Sequence, residues 1–265
     1  MTPTSFSSKQ LAAFAKDGFL VVPELLDSEE VELLRNIAHA DRRMEQEAAS
    51  RADGEGGAIK LRVRNELGDD IYGAIVRARR IVDRMEQLLT DEVYHWHDKM
   101  ILKEPRVGGA WAWHQDYGYW YDNGCLFPDL ASCMIALDKA TRANGCLQVL
   151  RGSHRMGRIT HGPVGDQTGA DPERVEEARK RLETVYVELN PGSAVFFHSN
   201  LLHRSDQNKS DDPRWAFICC YNTKSNDPYK ESRHPRYAPL EKWDDERVKE
   251  VGRRQWEEMR SLAAG

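Results

Sequence analysis

His114 and Asp116 stand one residue apart in Trp113-His114-Gln115-Asp116-Tyr117. On an extended strand side chains alternate, so this imidazole and this carboxylate share a face. Together they offer two ligands to a transition metal. One more histidine would complete the 2-His-1-carboxylate set of non-haem Fe(II) oxygenases, which leaves coordination positions open. Two candidates lie downstream, His198 and His203, in Val195-Phe196-Phe197-His198-Ser199-Asn200-Leu201-Leu202-His203-Arg204-Ser205. If Leu201 to Ser205 is extended, His203 shares a face with Leu201 and Ser205 while Arg204 points the other way. That parity offers His203 as the third ligand. Ser205 and the later Arg214 then present a hydroxyl and a guanidinium, and a guanidinium forks onto a carboxylate with two parallel hydrogen bonds.

The elements that must position these residues can be read from hydrophobic period and turn residues. Ser7-x-x-Gln10 and Asp27-x-x-Glu30 resemble capping boxes. They open a first helix carrying Leu11, Phe14 and Ala15, and a second carrying Val31, Leu34, Ile37 and Ala38 that is expected to run to about Ala48. Phe19 to Pro23 reads as a short strand between them. Arg51 to Gly57 reads as a polar surface loop, and Asp70 to Leu89 as one helix with Ile71, Ile75, Ile81, Met85 and Leu88 apolar.

Beyond Asp91 the texture changes to short strands bounded by turns. They are expected at Val93–Leu102, Ala110–Tyr117, Ser132–Ala136, Cys146–Leu150, Thr184–Leu189, Ala194–His198, Leu201–Ser205 and Trp215–Asn222. This spacing predicts a mainly β protein with flanking helices, built on a double-sheet jelly roll. One catalytic domain over 1–265 is expected: helical support over 1–90, a jelly-roll core over 91–222, and a C-terminal tail over 223–265 ending in an amphipathic helix. The core carries an insertion at 156–183, glycine-rich from Met156 to Asp171 and then helical. A long insertion between barrel strands is often a lid or substrate loop.

Composition excludes several classes. The 265 residues carry a net charge of −5, against a nucleic-acid binder, which usually shows a basic excess. Arg77-Ala78-Arg79-Arg80 is offset by Asp83 and Glu86 and reads as a solvated helix face. No apolar run reaches the ~20 residues of a membrane helix, and the first residues lack the pattern of a signal peptide. The five cysteines form no metal-binding spacing and read as buried reduced thiols in a cytoplasmic protein. The expected partner is a small-molecule substrate; the oligomeric state is left open.

Three blocks in order resemble the phytanoyl-CoA dioxygenase family of Fe(II)- and 2-oxoglutarate-dependent oxygenases. They are Trp113-His114-Gln115-Asp116, then Asn144-Gly145-Cys146-Leu147-Gln148-Val149-Leu150-Arg151-Gly152-Ser153-His154, then Val195 to Ser210 followed by Arg214. Asp17-Gly18-Phe19-Leu20-Val21-Val22 is similar to the family's opening. Each block alone is common; their order and the spacing of 11 from His203 to Arg214 make the likeness specific. The resemblance implies that His114, Asp116 and His203 hold Fe(II), and that Arg214 and Ser205 hold the distal carboxylate of 2-oxoglutarate. It further implies that O2 is consumed and that succinate and CO2 are released. A family cosubstrate contact falls near Lys99, which with Ile101 would face the cavity if its strand paired beside the His114 strand. Two departures occur. Arg204 stands where the family often has glycine, and Arg151 where it has proline. Asp116 itself favours hydroxylation or another oxidation over halogenation, since halogenating relatives lack this carboxylate.

Other residues have plainer alternatives. Tyr117, Tyr119 and Trp120, with Tyr121, form either an aromatic substrate wall or ordinary packing. Arg204 is a candidate substrate contact at the rim. For an acyl-CoA substrate, Arg155, Arg158, Arg204 or Arg77–Arg80 would have to meet the phosphates. His95-Trp96-His97 reads as a sheet-surface pair rather than a second metal site, with Asp98 as the partner of His97. His154 and His161 are expected on exposed loops. A cupin-like metal enzyme without 2-oxoglutarate and a non-catalytic binding module are the competing functions.

Overall fold

The structure, a computed structural model, describes residues 4–264 apart from 42, 44, 45, 54, 55 and 165. A seven-stranded sheet runs in the order β1-β11-β6-β13-β4-β3-β2. Its strands are β1 (Phe19–Val22), β2 (Ala49–Ala52), β3 (Ala58–Arg64), β4 (Val93–Lys103), β6 (Leu130–Ala136), β11 (Ala194–His198) and β13 (Arg214–Thr223). A second sheet runs β10-β7-β12-β5, from β5 (Trp111–His114), β7 (Leu147–Leu150), β10 (Thr184–Val187) and β12 (His203–Ser205). All pairings within both sheets are antiparallel. This is the expected jelly-roll architecture with helices on one side.

Strand alternation divides the large sheet between two cores. On β13, Trp215, Phe217, Cys219 and Tyr221 pack toward the helices with Ile37, Ile75, Ile81 and Met85. Ala216, Ile218 and Cys220 pack into the sandwich with Met134, Val149 and Phe197. On β4, Met100 and Leu102 join the helical core. Lys99, Ile101 and Lys103 line the cavity on the other face. The five cysteines are all buried and free. Both N-terminal capping boxes are formed, at Ser7 and Asp27.

Several expectations are corrected. The segment expected as one helix from Asp70 is two, Ile71–Arg77 and Arg79–Leu89. Ala78 breaks it with φ −57° and ψ 119°, because the backbone there bonds to the C-terminal segment instead: Arg79 N–H donates to the Trp243 carbonyl and Trp243 N–H to that of Arg77, each at 2.8 Å. The basic cluster is a solvated face only in part: Arg79 is exposed, but Arg80 is 2% exposed and paired with Glu30 and with Asp245.

The second helix stops at Ala40, and the expected extension to Ala48 falls partly on 42, 44 and 45, outside the described residues. Ala49–Ala52 and Ala58–Arg64 form a hairpin that extends the large sheet, so Arg51 and Ala52 are strand rather than loop. The insertion also contains a hairpin, β8 (His161–Val164) with β9 (Gln167–Ala170), before the helix Pro172–Arg179. The C-terminal helix Asp245–Ala264 is present; Val248 and Val251 join the helical core. No helix is long and apolar enough to cross a membrane among the described residues.

β4 lies between β13 and β3, not beside the His114 strand. His95 and His97 are buried, not on a sheet surface. A β-bulge at Trp96, opposite Cys220 and Tyr221, interrupts the alternation there. His95, rather than His97, meets Asp98, at 3.3 Å, and His97 Nδ1 lies 3.3 Å from His234 Nδ1.

Candidate metal centre

His114 ends β5 and His203 begins β12, and the two are directly opposite partners in the antiparallel ladder. Their rings stand 4.0 Å apart between centroids. Each ring is oriented by the backbone two residues before it: His114 Nδ1–H donates to the Ala112 carbonyl at 2.8 Å, and His203 Nδ1–H to that of Leu201 at 2.9 Å. This fixes the tautomer and leaves each Nε2 lone pair free, the outer-shell arrangement typical of metal-binding histidines. Burial holds both imidazole pKa values below the ordinary range, so the rings stay neutral and able to donate.

Asp116 reaches the same point by a different route from the expected strand parity. The strand ends at His114, and Asp116 has helical backbone angles, φ −57° and ψ −40°, ahead of the short helix Tyr117–Trp120. The turn carries its carboxylate back against the opposite sheet. There Lys99 Nζ donates to Oδ1 at 3.1 Å and Ser132 Oγ to Oδ2 at 3.0 Å. Burial raises the Asp116 pKa, but the adjacent charge and hydrogen bond of Lys99 act against it and the carboxyl stays at about 2. Ligand atoms of His114, Asp116 and His203 all lie within 4.8 Å of one another. Two neutral imidazoles and one carboxylate, converging and buried, fit a divalent iron.

The cavity at this point is lined by Ile59, Leu61, Met134, Leu147, Phe197 and Ile218. Polar groups gather at its two ends. One end holds the triad and Lys99; the other holds Ser205, Arg214 and Lys103. Burial lowers the Arg214 pKa to about 10, and its Nη2 donates to the Gly145 carbonyl at 2.7 Å. Gly145 has φ +75°, and a Cβ there would stand 2.2 Å from the Asp206 carbonyl oxygen; only glycine lets this turn present its carbonyl.

Tyr117 turns away from the cavity and donates to the Leu126 carbonyl at 2.7 Å. Tyr119 lies beside the centre, 5.6 Å from the His114 ring. Trp120 packs behind Lys99, whose Nζ is 5.5 Å from the indole centroid. Arg204 reaches the cavity edge, with its guanidinium over Trp113 and an ion pair to Asp206. His198 is held elsewhere: its Nδ1 accepts from Asn200 N–H at 3.0 Å and its ring packs on His154. His154 and His161 are half-buried, not exposed.

Sequence reasoning left Gln115 without a role. Its amide donates to the carbonyls of Gly157 and Asn200, at 2.8 and 2.7 Å, and accepts from Ile159 N–H at 2.7 Å. Its own N–H donates to His161 Nε2 at 2.9 Å. The residue between His114 and Asp116 thus ties the turn to the insertion and to the segment just before His203. Strand parity did point Gln115 away from the metal face, but its partners are remote in sequence. Gly118 explains the close fit of His161, since a Cβ there would lie 2.1 Å from that ring. Gly118→Ala is therefore expected to displace His161, destabilise the fold by about 1–3 kcal/mol as overpacking does, and weaken iron binding at least ~10-fold. Urea unfolding and iron titration of the purified variant check both.

The Phytanoyl-CoA dioxygenase (PhyH) family profile matches residues 14–216. The chain belongs to the phytanoyl-CoA dioxygenase family. It is an Fe(II)- and 2-oxoglutarate-dependent dioxygenase by class, with O2 as co-substrate. L-proline trans-4-hydroxylase of Streptomyces griseoviridis is 27% identical over 84% of this chain and 88% of its own length. Ectoine dioxygenase of Halomonas elongata is 27% identical over 89% of this chain and 78% of its own. The crystal structure of EctD from S. alaskensis with 2-oxoglutarate and 5-hydroxyectoine superposes with a TM-score of 0.77 at 25% identity, covering 90% of this chain and 88% of that one. The same protein solved with bound Fe matches equally well.

Proposed function

We propose that this enzyme hydroxylates a C–H bond of a small carboxylate-bearing molecule of amino-acid size. His114, Asp116 and His203 serve as the iron ligands, and Arg214 with Ser205 receives the distal carboxylate of 2-oxoglutarate. The observation that carries this reading is the convergence of the triad with both histidine Nδ1 atoms tied back to the chain. The iron, with 2-oxoglutarate and O2, supplies oxidation of an unactivated C–H bond with release of succinate and CO2. The protein's own part is to hold and to exclude. Gln115 and His161 fix the ligand turn, Lys99 and Ser132 aim the Asp116 carboxylate, and the apolar wall of Met134, Phe197 and Ile218 keeps water from the reacting face. With the Asp116 carboxylate present there is no vacant ligand position for a halide, which supports hydroxylation.

Substrate size is supported by the relatives, whose names are those of proline and ectoine oxidation, and by the state of the arginines. Arg80 is buried in ion pairs and Arg204 is engaged by Asp206, so of the arginines that could meet the phosphates of an acyl-CoA these two are already committed, while Arg155 and Arg158 are exposed. Lys99 keeps its place as a cosubstrate contact beside the centre, its ammonium held between the Asp116 carboxylate and the Trp120 ring. The one-domain reading of 1–265, with the helical layer supporting the catalytic sandwich, belongs to the same proposal.

The test is O2-dependent succinate release by the iron-loaded protein over cyclic and linear amino acids, other small carboxylates and acyl-CoAs. Stimulation by one of the first three groups is expected. Succinate release driven by acyl-CoA alone overturns the substrate class. If no compound and no substrate-free turnover consumes 2-oxoglutarate, the roles given to Arg214 and Ser205 fall.

A further inference from the structure

Arg51 stands on β2, the last strand of the large sheet, directly opposite Ile59 in the β2–β3 hairpin. Opposed residues of an antiparallel pair place their side chains on the same face, and Ile59 lines the cavity together with Leu61. The Arg51 side chain therefore projects from the cavity face of the sheet, at its open edge. It reaches across to the other sheet, where its guanidinium lies over the ring of Trp111 on β5, 5.9 Å from the centroid. Trp111 in turn lines the cavity and stands 5.7 Å from the His114 ring. One indole thus lies between this cation and a metal ligand.

The other polar groups around this opening are committed. On the same hairpin Arg62 pairs with Asp41 and Glu47, and Arg64 with Asp70 and Asp98; both alternate with Leu61 and so leave the cavity face. Arg204, which borders the cavity with Trp111, is held by Asp206 and lies over Trp113. Lys99 is held by Asp116. Tyr119 donates its hydroxyl hydrogen to the Thr168 carbonyl at 2.6 Å. Arg51 is exposed, and among the described residues no carboxylate forms an ion pair with it. Its donors stand free beside an apolar wall of Ile59, Leu61 and Trp111. Such a pairing suits a molecule with a carboxylate at one end and a hydrocarbon body at the other, since a guanidinium forks onto a carboxylate and the wall takes the rest.

We infer that Arg51 is the receptor for the substrate's carboxylate, holding it at the mouth of the cavity over Trp111 while the hydrocarbon body reaches inward along Ile59 and Leu61 toward the metal. This rests on the small-carboxylate reading given above and names the residue that selects that class. It also keeps two acids apart: 2-oxoglutarate is met by Arg214 deep in the sandwich, the substrate by Arg51 at the open edge. At that edge solvent reaches the pair, so salt screens the attraction.

The test uses the small carboxylate that most stimulates succinate release in the screen above, together with its carboxamide, on wild type, Arg51→Gln and Arg51→Lys. KM and kcat are read from succinate release, and the dissociation constant of 2-oxoglutarate from calorimetry on the Mn(II)-loaded proteins. Loss of one charged hydrogen-bonding partner at an exposed site is expected to raise KM for the acid about 10-fold in Arg51→Gln. As a loss of uniform binding, it should leave kcat within about 2-fold and 2-oxoglutarate affinity unchanged. Arg51→Lys should recover part of the loss, because it restores the charge without the fork. Added salt should raise the wild-type KM for the acid and barely move that of Arg51→Gln. The carboxamide should serve all three proteins equally poorly. An unchanged KM for the acid in Arg51→Gln, or equal losses for acid and carboxamide, overturns the inference. So does a fall in 2-oxoglutarate affinity with KM for the acid preserved, which would place Arg51 on the cosubstrate's path instead. If no small carboxylate drives turnover, the substrate class falls and takes this inference with it; if one does and Arg51→Gln handles it as wild type does, only the inference fails.

Discussion

His203→Ala should reduce iron affinity by more than ~100-fold, while His198→Ala leaves iron content per folded chain unchanged. The magnitude follows from the neighbours of metal ligands, whose loss alone costs about 10- to 100-fold; loss of a ligand must exceed that. The direction follows from geometry. His203 faces His114 across the β5–β12 ladder with its Nε2 free. His198 sits at the end of β11 with Nδ1 accepting from Asn200 and its ring against His154. Its pKa is pushed down to about 4 by burial and by His154, so it is a neutral packing residue. Metal analysis after anaerobic loading decides between them. Iron retained in the His203 variant and lost in the His198 variant would reverse the ligand assignment.

Arg214→Met should weaken 2-oxoglutarate binding on the order of 10²- to 10³-fold with iron content intact. Removing one partner of a buried charged hydrogen-bonded pair costs about 2–5 kcal/mol. Arg214→Lys is expected to recover little, because an ammonium cannot reproduce the planar fork and Lys103 already occupies the opposite position on the ladder. Calorimetric titration of 2-oxoglutarate into the Mn(II)-loaded variants is the measurement. Wild-type affinity in Arg214→Met would remove Arg214 from the cosubstrate site. The two substitutions separate the ends of the cavity: His203→Ala acts on metal, Arg214→Met on cosubstrate.

Much of this site was legible in the chain because its signals are local. His203 and Ser205 do share the cavity-facing side of β12, as a period of two requires. Parity was a poor guide where the strand did not persist. Asp116 lies past the end of β5, and its carboxylate is aimed by a helical turn and by Ser132 and Lys99 from the other sheet. Lys99 faces the cavity from across the sandwich, although the pairing that suggested it does not exist. Lys103 was within reach of the same alternation, two residues beyond Ile101, but only its pairing with Arg214 gives it meaning. The helix break at Ala78 was invisible for a like reason: its cause is a backbone bridge to Trp243, far along the chain.

By itself the sequence determined the donor types, the strands that carry the two histidines, the family and hence the reaction class, since these depend on side-chain chemistry and short periods. Tertiary structure alone decided how the Asp116 carboxylate is aimed from the opposite sheet, how Gln115 and His161 brace the turn, and that Lys103 and Arg214 face each other across the ladder. Those facts rest on contacts between residues 16 to 111 positions apart, and no local pattern encodes the register that brings such residues together.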